Sequence, residues 1–127
     1  QKFLSLDGNP VVGSSFKLMI NDNLDPNKQY LIVAAFSKTP ATQLPNGQYI
    51  YLAADPLFFL TVLNPNNAYF QNTYGTLDSN GRATATINIP NDPTLSGLDL
   101  YFAFVILDPS APSGIARISH TIKVTIV

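Results

Sequence analysis

The stretch RATATINI, residues 82–89, alternates between polar and apolar side chains along its whole length. Successive residues of a strand point to opposite sides, so the apolar side chains share one face and the polar side chains share the other. This pattern is typical of an antiparallel strand with one face in a core and the other in water. The preceding residues DSNG, 78–81, predict a chain reversal that leads into it.

On both sides of this strand, short extended segments alternate with clusters of Gly, Pro, Asn and Asp, which predict turns. The further strands are predicted at residues 2–6, 14–20, 29–37, 48–53, 57–63, 68–71, 98–107 and 116–127. The chain contains ten Pro and seven Gly but no Glu, a composition that disfavours helices. We therefore predict an all-β fold, an antiparallel β-sandwich of immunoglobulin-like or jelly-roll type, in a single domain over residues 1–127.

Composition narrows the class of protein. The chain is 46% hydrophobic but only 12% charged, with a net charge of −1, and its Lys and Arg form no basic stripe. These values exclude an electrostatic nucleic-acid binder. No apolar run is long enough for a membrane-spanning helix. The chain begins at Gln1, as expected of a mature secreted protein, so we expect an extracellular or cell-surface location.

Three predicted strands, residues 29–37, 57–63 and 98–107, are apolar on both faces. A two-layer sandwich normally buries one face of each sheet and leaves the other in water. The second face of these strands therefore needs a cover. The cover could be a loop of the same chain such as residues 39–46, another protein molecule, or a ligand.

A cover supplied by another molecule would make this chain a self-assembling subunit of an extracellular filament or surface layer, a homo-oligomer of identical subunits. The strand at residues 1–6 is a candidate for exchange between subunits, with the turn at residues 7–10 as its hinge. The alternative, pairing of this strand within its own domain, remains open. The residues expected at the assembly contacts are Phe3, Leu4, Leu6, Tyr101, Phe102 and Phe104.

The sequence offers little for catalysis. The single histidine, His120, lies in register with Ile118 and Ile122 and is expected to point toward the core. The Asp residues lie mostly beside Pro, Gly or Asn in turns, and we identify no catalytic residue and no cofactor site, so we predict that the chain is not an enzyme. Asp22 and Asp25, in the oxygen-rich loop at residues 21–27, are the calcium candidates, although this loop lacks the Gly and the final Glu of an EF-hand.

Two tyrosines give the alternative function. Tyr49 and Tyr51 share one face of the segment at residues 48–53. A tyrosine ring can stack on a sugar while its hydroxyl forms a hydrogen bond. The alternative is therefore a carbohydrate-binding or adhesive module of a secreted protein, with a possible polysaccharide partner, and the competing explanation is packing of both rings at a sheet edge.

The C-terminal part carries a family resemblance. Residues 75–90, GTLDSNGRATATINIP, and residues 91–126, NDPTLSGLDLYFAFVILDPSAPSGIARISHTIKVTI, contain a D-x-x-G-x-A turn, a GLxLY strand and an LDPxAPxG loop. This part resembles β-sandwich modules of secreted bacterial surface proteins. The resemblance implies a β-sandwich in an extracellular protein and carries no catalytic residues. The segment Phe102-Ala103-Phe104 departs from these modules, which often have a more polar strand there.

Overall fold

The computed structural model describes residues 2–127 and is an antiparallel β-sandwich with one short α-helix. In chain order the elements are β1 (Lys2–Asp7), β2 (Ser15–Asp22), β3 (Gln29–Ala35), β4 (Thr42–Gln43), β5 (Tyr49–Ile50), α1 (Pro56–Leu63), β6 (Phe70–Gln71), β7 (Tyr74–Thr76), β8 (Arg82–Asn88), β9 (Asp99–Leu107), β10 (Ile115–Ile118) and β11 (Ile122–Thr125). The predicted all-β sandwich is therefore confirmed. Gln1, the first residue of the predicted exchange strand, lies outside the described residues.

Two sheets form the sandwich. Sheet A has the strand order β1-β2-β8-β6, and sheet B has the order β10-β9-β3-β7, with β11 also paired to β9. This arrangement resembles the ABED and CFG sheets of immunoglobulin constant-type domains, with β1, β2, β8 and β6 in the places of A, B, E and D. The main core lies between the sheets and contains fully buried side chains from both, including Leu18 and Ile87 of sheet A and Phe102 and Phe104 of sheet B.

The outer face of sheet A is open to water. Along β2 the residues alternate strictly between exposed and buried, as the alternating sequence of its neighbour β8 also predicts. Lys17, Met19 and Thr84 are exposed on this face. Sheet A therefore needs only the inner core for its stability.

The outer face of sheet B is covered by the chain itself. The segment from residue 36 to residue 69, which includes the β4–β5 hairpin and α1, lies over it. A second apolar cluster results, in which Val33 and Val105 of the sheet contact Ile50, Leu52 and Phe58 of the covering segment. Of the three covers that the sequence left open, the structure has the one supplied by the same chain.

The predicted strand at residues 57–63 is wrong, because this segment is the helix α1. Asp55 is its N-cap residue and accepts a hydrogen bond from the Phe58 amide at 2.9 Å, and Pro56 occupies the first turn. Inside α1, Thr61 is buried and its hydroxyl accepts a hydrogen bond from the Ala34 amide at 3.1 Å, which ties the helix to β3. Among the described residues, no helix combines the length and the apolar character that crossing a bilayer requires.

The predicted strand at residues 116–127 is two strands. β10 pairs with one half of β9 and β11 pairs with the other half. Between them Ser119 is buried, and its hydroxyl accepts a hydrogen bond from the Phe104 amide at 2.8 Å. The Ser119 side chain thus takes the place of a backbone acceptor in the ladder between β9 and the C-terminal strands. The strand is interrupted here between β10 and β11, and the register shifts. His120 is therefore exposed, whereas the sequence predicted that it points into the core.

Candidate functional site

The β4–β5 hairpin presents two tyrosines to solvent. Tyr49 is 51% exposed and Tyr51 is 60% exposed, whereas Ile50 and Leu52 are buried in the cluster on sheet B. The sequence Tyr-Ile-Tyr-Leu accounts for this arrangement, since an extended segment sends alternate side chains to opposite sides. Ile50 and Leu52 therefore anchor the hairpin on sheet B, while Tyr49 and Tyr51 are exposed on its outer surface.

Hydrogen bonds hold the hairpin in place. The Leu44 amide donates to the Gln48 carbonyl at 2.7 Å and closes the turn that precedes Tyr49. The Thr121 hydroxyl donates to the Tyr51 carbonyl at 3.1 Å and joins the hairpin to the start of β11. The two tyrosines therefore lie on a segment that hydrogen bonds hold in place.

Two adjacent grooves run between this segment and the β10–β11 edge of sheet B. The first, named here the tyrosine groove, has a volume of about 280 Å³ and is lined by Gln48, Tyr49, Tyr51, Ala116, Arg117, Ile118 and Ser119. The second, named here the histidine groove, has a volume of about 410 Å³ and is lined by Lys38, Thr39, Tyr51, Ser119, His120 and Thr121. Tyr51 and Ser119 line both grooves, so the two together form one extended surface.

Arg117, which lines the tyrosine groove, is held by an ion pair. Its Nε lies 2.7 Å from Oδ2 of Asp25, whose side chain is only 9% exposed. The Arg117 side chain itself is 41% exposed. Within the part of the chain that the structure describes, Asp25 is its only hydrogen-bond partner, so the two terminal Nη groups are available to a ligand.

Asp22 lies beside Asp25 and is fully buried. Its Oδ1 accepts a hydrogen bond from the Leu24 amide at 3.2 Å. Burial, followed by the hydrogen bond and the charge of Asp25, raises the pKa of Asp22 to about 6. Oδ2 of Asp22 is buried and has no hydrogen-bond partner among the described residues.

The structure thus brings both calcium candidates together, in a loop whose local spacing did not predict a carboxyl pair. Arg117 already neutralises Asp25. Across residues 2–127, no group of three or more His, Cys, Asp or Glu side chains is placed to hold a metal ion. Calcium binding by Asp22 and Asp25 stays a prediction.

The predicted assembly residues fall into three groups by exposure: buried, exposed and half-buried. Phe102 and Phe104 have no exposed surface because the inner core of the sandwich encloses them, and Leu4 is 3% exposed in the same core. The structure corrects the expectation for Phe102 and Phe104, which are not available to a second folded molecule. Phe3 and Leu6 are exposed on β1.

Tyr101, the remaining assembly candidate, is half-buried and packs against the apolar cluster under the covering segment. This position gives it contacts within its own chain. The structure therefore limits the exposed assembly candidates to the N-terminal strand.

A third depression, named here the apolar cleft, has a volume of about 180 Å³. Residues of the covering segment and of both sheets line it, with Phe36, Tyr69 and Leu95 among the lining residues. The exposed side of α1 adds Phe59 and Leu63 to the apolar surface of the chain. The cleft has almost no polar groups, so it lacks the hydrogen-bonding capacity of the other two grooves.

The sequence predicted the tyrosine pair but not the side chains opposite it. Arg117 and Asp25 are 92 residues apart, and no local signal connects them. The alternating sequence predicts His120 in the core, because it does not reveal the break at Ser119. Only the folded chain places Arg117 and His120 on either side of Tyr51.

Comparisons with known proteins give no family. No protein-family model matches this chain, and no curated protein matches it either. Among solved structures, it is similar to a DUF4466 family protein from Parabacteroides merdae, with a TM-score of 0.36 and 16% sequence identity. The match covers 95% of this chain, and the chain spans 42% of the length of that protein. The architecture described above therefore rests on the strand topology of the chain itself.

Proposed function

We propose that this chain is a carbohydrate-binding module whose site is the tyrosine groove, extended by the histidine groove. The observation that carries the proposal is the exposure of Tyr49 and Tyr51 on a hairpin that is otherwise anchored by buried side chains. Packing at a sheet edge, the competing explanation for both rings, would bury them. Half or more of the surface of each residue is open to water instead.

The groups around the tyrosines match the chemistry of a sugar. A sugar ring has apolar C–H faces, which a tyrosine ring can cover, and hydroxyls at its rim, which need hydrogen-bond partners. Gln48 and Arg117 line the same groove and are the polar residues proposed to pair with those hydroxyls. An extended surface with a few fixed polar groups is the general form of a small-ligand site.

The expected affinity is modest. A sugar ring that covers roughly 50–100 Å² of apolar surface gains about 1–2.5 kcal/mol before the costs of association. Two tyrosines and a few hydrogen bonds then give a dissociation constant on the order of 10 μM to 1 mM. Binding of this strength is useful to a module that is attached to a larger protein or present in many copies.

The proposal includes an extracellular or cell-surface location and a non-enzymatic role. The location is supported by the resemblance of residues 75–126 to modules of secreted bacterial surface proteins. The role is supported by the groups that the grooves contain. The imidazole Nε2 of His120 lies 3.2 Å from the Leu4 carbonyl, and the Ser119 hydroxyl donates to the His120 carbonyl at 2.8 Å rather than to the imidazole ring.

The test is binding to a panel of immobilised polysaccharides, with Tyr49→Ala and Tyr51→Ala as the variants. Tyr69→Ala is the matched control, since Tyr69 is also 51% exposed but lines the apolar cleft. We expect both groove variants to lose at least about tenfold in affinity, the equivalent of ~1.4 kcal/mol, and the control to bind like the parent chain. Equal binding by all three variants, or no binding to any polysaccharide, would refute the proposal.

A second candidate function is self-assembly by exchange of β1, as a subunit of an extracellular filament or surface layer. Its support is that β1 is an edge strand whose ladder partner is β2 alone, while its Leu4 enters the inner core. A neighbour's strand could enter the same position, because backbone pairing and one apolar anchor are what strand addition uses. Head-to-tail exchange of this kind would produce fibres.

A disulfide tests the exchange cleanly. Ser5 and Met19 are paired across β1 and β2, both are exposed, and the chain contains no cysteine. In the variant Ser5→Cys/Met19→Cys, oxidation of the monomer locks β1 in its own sheet. Electron microscopy and sedimentation should then show fibres only after reduction. Equal assembly of the locked and reduced forms would exclude exchange, as would equal assembly of the parent chain and a chain without residues 1–6.

A further inference from the structure

We infer that the ligand of the two grooves is an anionic polysaccharide, whose carboxylate or sulfate groups bind on either side of Tyr51. This inference rests on the proposed function and adds the chemical class of the ligand. Its basis is the charge of the groove residues and the way in which one of them is held.

Two of the seven Lys and Arg residues of the chain line this surface, together with its only histidine. Arg117 lines the tyrosine groove, and Lys38 and the only histidine, His120, line the histidine groove. None of the residues that line the two grooves in the described structure is acidic, although the chain has eight Asp and a net charge of −1. A neutral sugar would gain nothing from this separation of charge.

The position of Arg117 indicates direct recognition of an anion. Its Nε is fixed by Asp25, so the guanidinium loses little conformational entropy when a ligand binds. The terminal Nη groups form a planar fork that matches a carboxylate or a sulfate with two parallel hydrogen bonds. An ion pair with a purely structural role would account for the burial of Asp25. It would not require that the Arg117 side chain remain 41% exposed, or that Arg117 line a groove together with two exposed tyrosines.

Lys38 and His120 extend the site beyond Arg117. Both are exposed, and they lie on the other side of Tyr51 from Arg117. A chain that stacks one ring on Tyr51 would therefore meet the ion-paired Arg117 in one direction and Lys38 with His120 in the other. This arrangement fits a polymer with a repeated negative charge better than a single charged sugar.

The experiment compares three polymers: polygalacturonate, which carries carboxylates, dextran sulfate, which carries sulfates, and uncharged dextran. Binding is measured by affinity electrophoresis and calorimetry at 50 mM and 300 mM salt. We expect binding to at least one anionic polymer and no more than a tenth of that affinity for dextran. The polymer with the higher affinity at 300 mM salt identifies the charged group.

Variants distinguish a specific anion-binding site in the grooves from general electrostatic attraction to the protein surface. Lys38→Gln and His120→Gln should each weaken binding, and Arg117→Lys should weaken it by roughly tenfold because the fork is lost while the charge remains. Arg117→Lys also keeps a cation beside Asp25, which protects folding, and circular dichroism verifies this. Lys17→Gln, on the outer face of sheet A, is the matched control and should bind like the parent chain.

The outcomes distinguish the two proposals. Equal binding of dextran and the anionic polymers, with loss in Tyr51→Ala, would refute the anionic class and leave the carbohydrate site standing. Equal weakening by Lys17→Gln and Lys38→Gln would also refute the inference, since attraction would then not depend on the grooves. No binding to any polysaccharide would refute both.

Discussion

The outer faces of the two sheets behave differently, although both belong to the same small sandwich. The outer face of sheet A is in contact with water and exposes Lys17 and Thr84, whereas the outer face of sheet B is buried under a covering segment of the same chain. The sequences of the strands account for the difference. β8 alternates, but β3 and β9 are apolar on both faces and need a second layer. That layer also carries the two tyrosines of the proposed site, so the segment that completes the core is the one that presents the ligand surface.

The largest expected effect comes from removing an anchor of the cover. Leu52 has no exposed surface, so Leu52→Ala should lower the free energy of unfolding by about 2–5 kcal/mol through lost burial and a residual cavity. Met19→Ala is the matched truncation on the other face, where the side chain is 43% exposed, and should cost less than about 1 kcal/mol. Urea unfolding measures both. Similar losses at the two positions would contradict the difference between the faces.

A smaller effect is expected where α1 meets β3. Thr61→Val preserves shape but leaves the Ala34 amide without its buried acceptor, which should cost about 1–3 kcal/mol. Thr84→Val makes the same change on the open face of sheet A, where water can solvate the backbone, and should be close to neutral. Thermal and urea unfolding of the pair test this point. A neutral Thr61→Val would show that the helix adds little to the stability of sheet B.

The loop that joins β2 to β3 gives the chain a pH dependence. The pKa of Asp22 is raised to about 6 in the folded chain, from 3.8, so the folded state holds a proton that the unfolded state has lost between these values. The free energy of unfolding should therefore fall as the pH rises from about 4 to about 6, by roughly 1–3 kcal/mol. Asp22→Asn should reduce this slope and stabilise the chain at pH 7. Unfolding titrations of both proteins measure it, and a slope that persists in the variant would rule out Asp22 as its source.

The smallest effect on stability is expected at the proposed site itself. Tyr49→Ala and Tyr51→Ala remove side chains that are half or more exposed, so each should change the free energy of unfolding by less than about 1 kcal/mol. Their loss of binding would then report on the ligand contact and not on unfolding. A loss of several kcal/mol in urea unfolding would instead show that the rings are structural parts of the cover.

The sequence predicted sheet A better than the cover of sheet B. The alternation of polar and apolar residues at 82–89 predicts both that β8 is a strand and which of its side chains face the core. A repeat of two residues matches a strand with one apolar face and does not match a helix. The apolar run in α1 has no such period, so it could not be distinguished from a buried strand. The signal that was available is Asp55-Pro56, since Asp is a preferred N-cap residue and Pro is favoured in the first helical turn.

The candidate site was only half predictable for a similar reason. Tyr49 and Tyr51 share a face by local spacing, so the sequence identified them directly. Arg117 reaches the groove through the pairing of β10 with β9 and through its contact with Asp25, which is a tertiary relation. His120 is exposed because Ser119 takes a place in the ladder, and no sequence pattern distinguishes that break from a continuous strand.

The central claim is that a polysaccharide binds where Tyr49 and Tyr51 face the β10–β11 edge. Titration of an isotope-labelled chain with a short galacturonate oligomer, followed through its backbone amide chemical shifts, tests it most directly. We expect the amides of residues 48–51 and 116–121 to shift together with one dissociation constant, while those of sheet A remain in place. Shifts confined to the surroundings of the apolar cleft, or an unchanged spectrum with this oligomer and with a neutral one, would contradict the account.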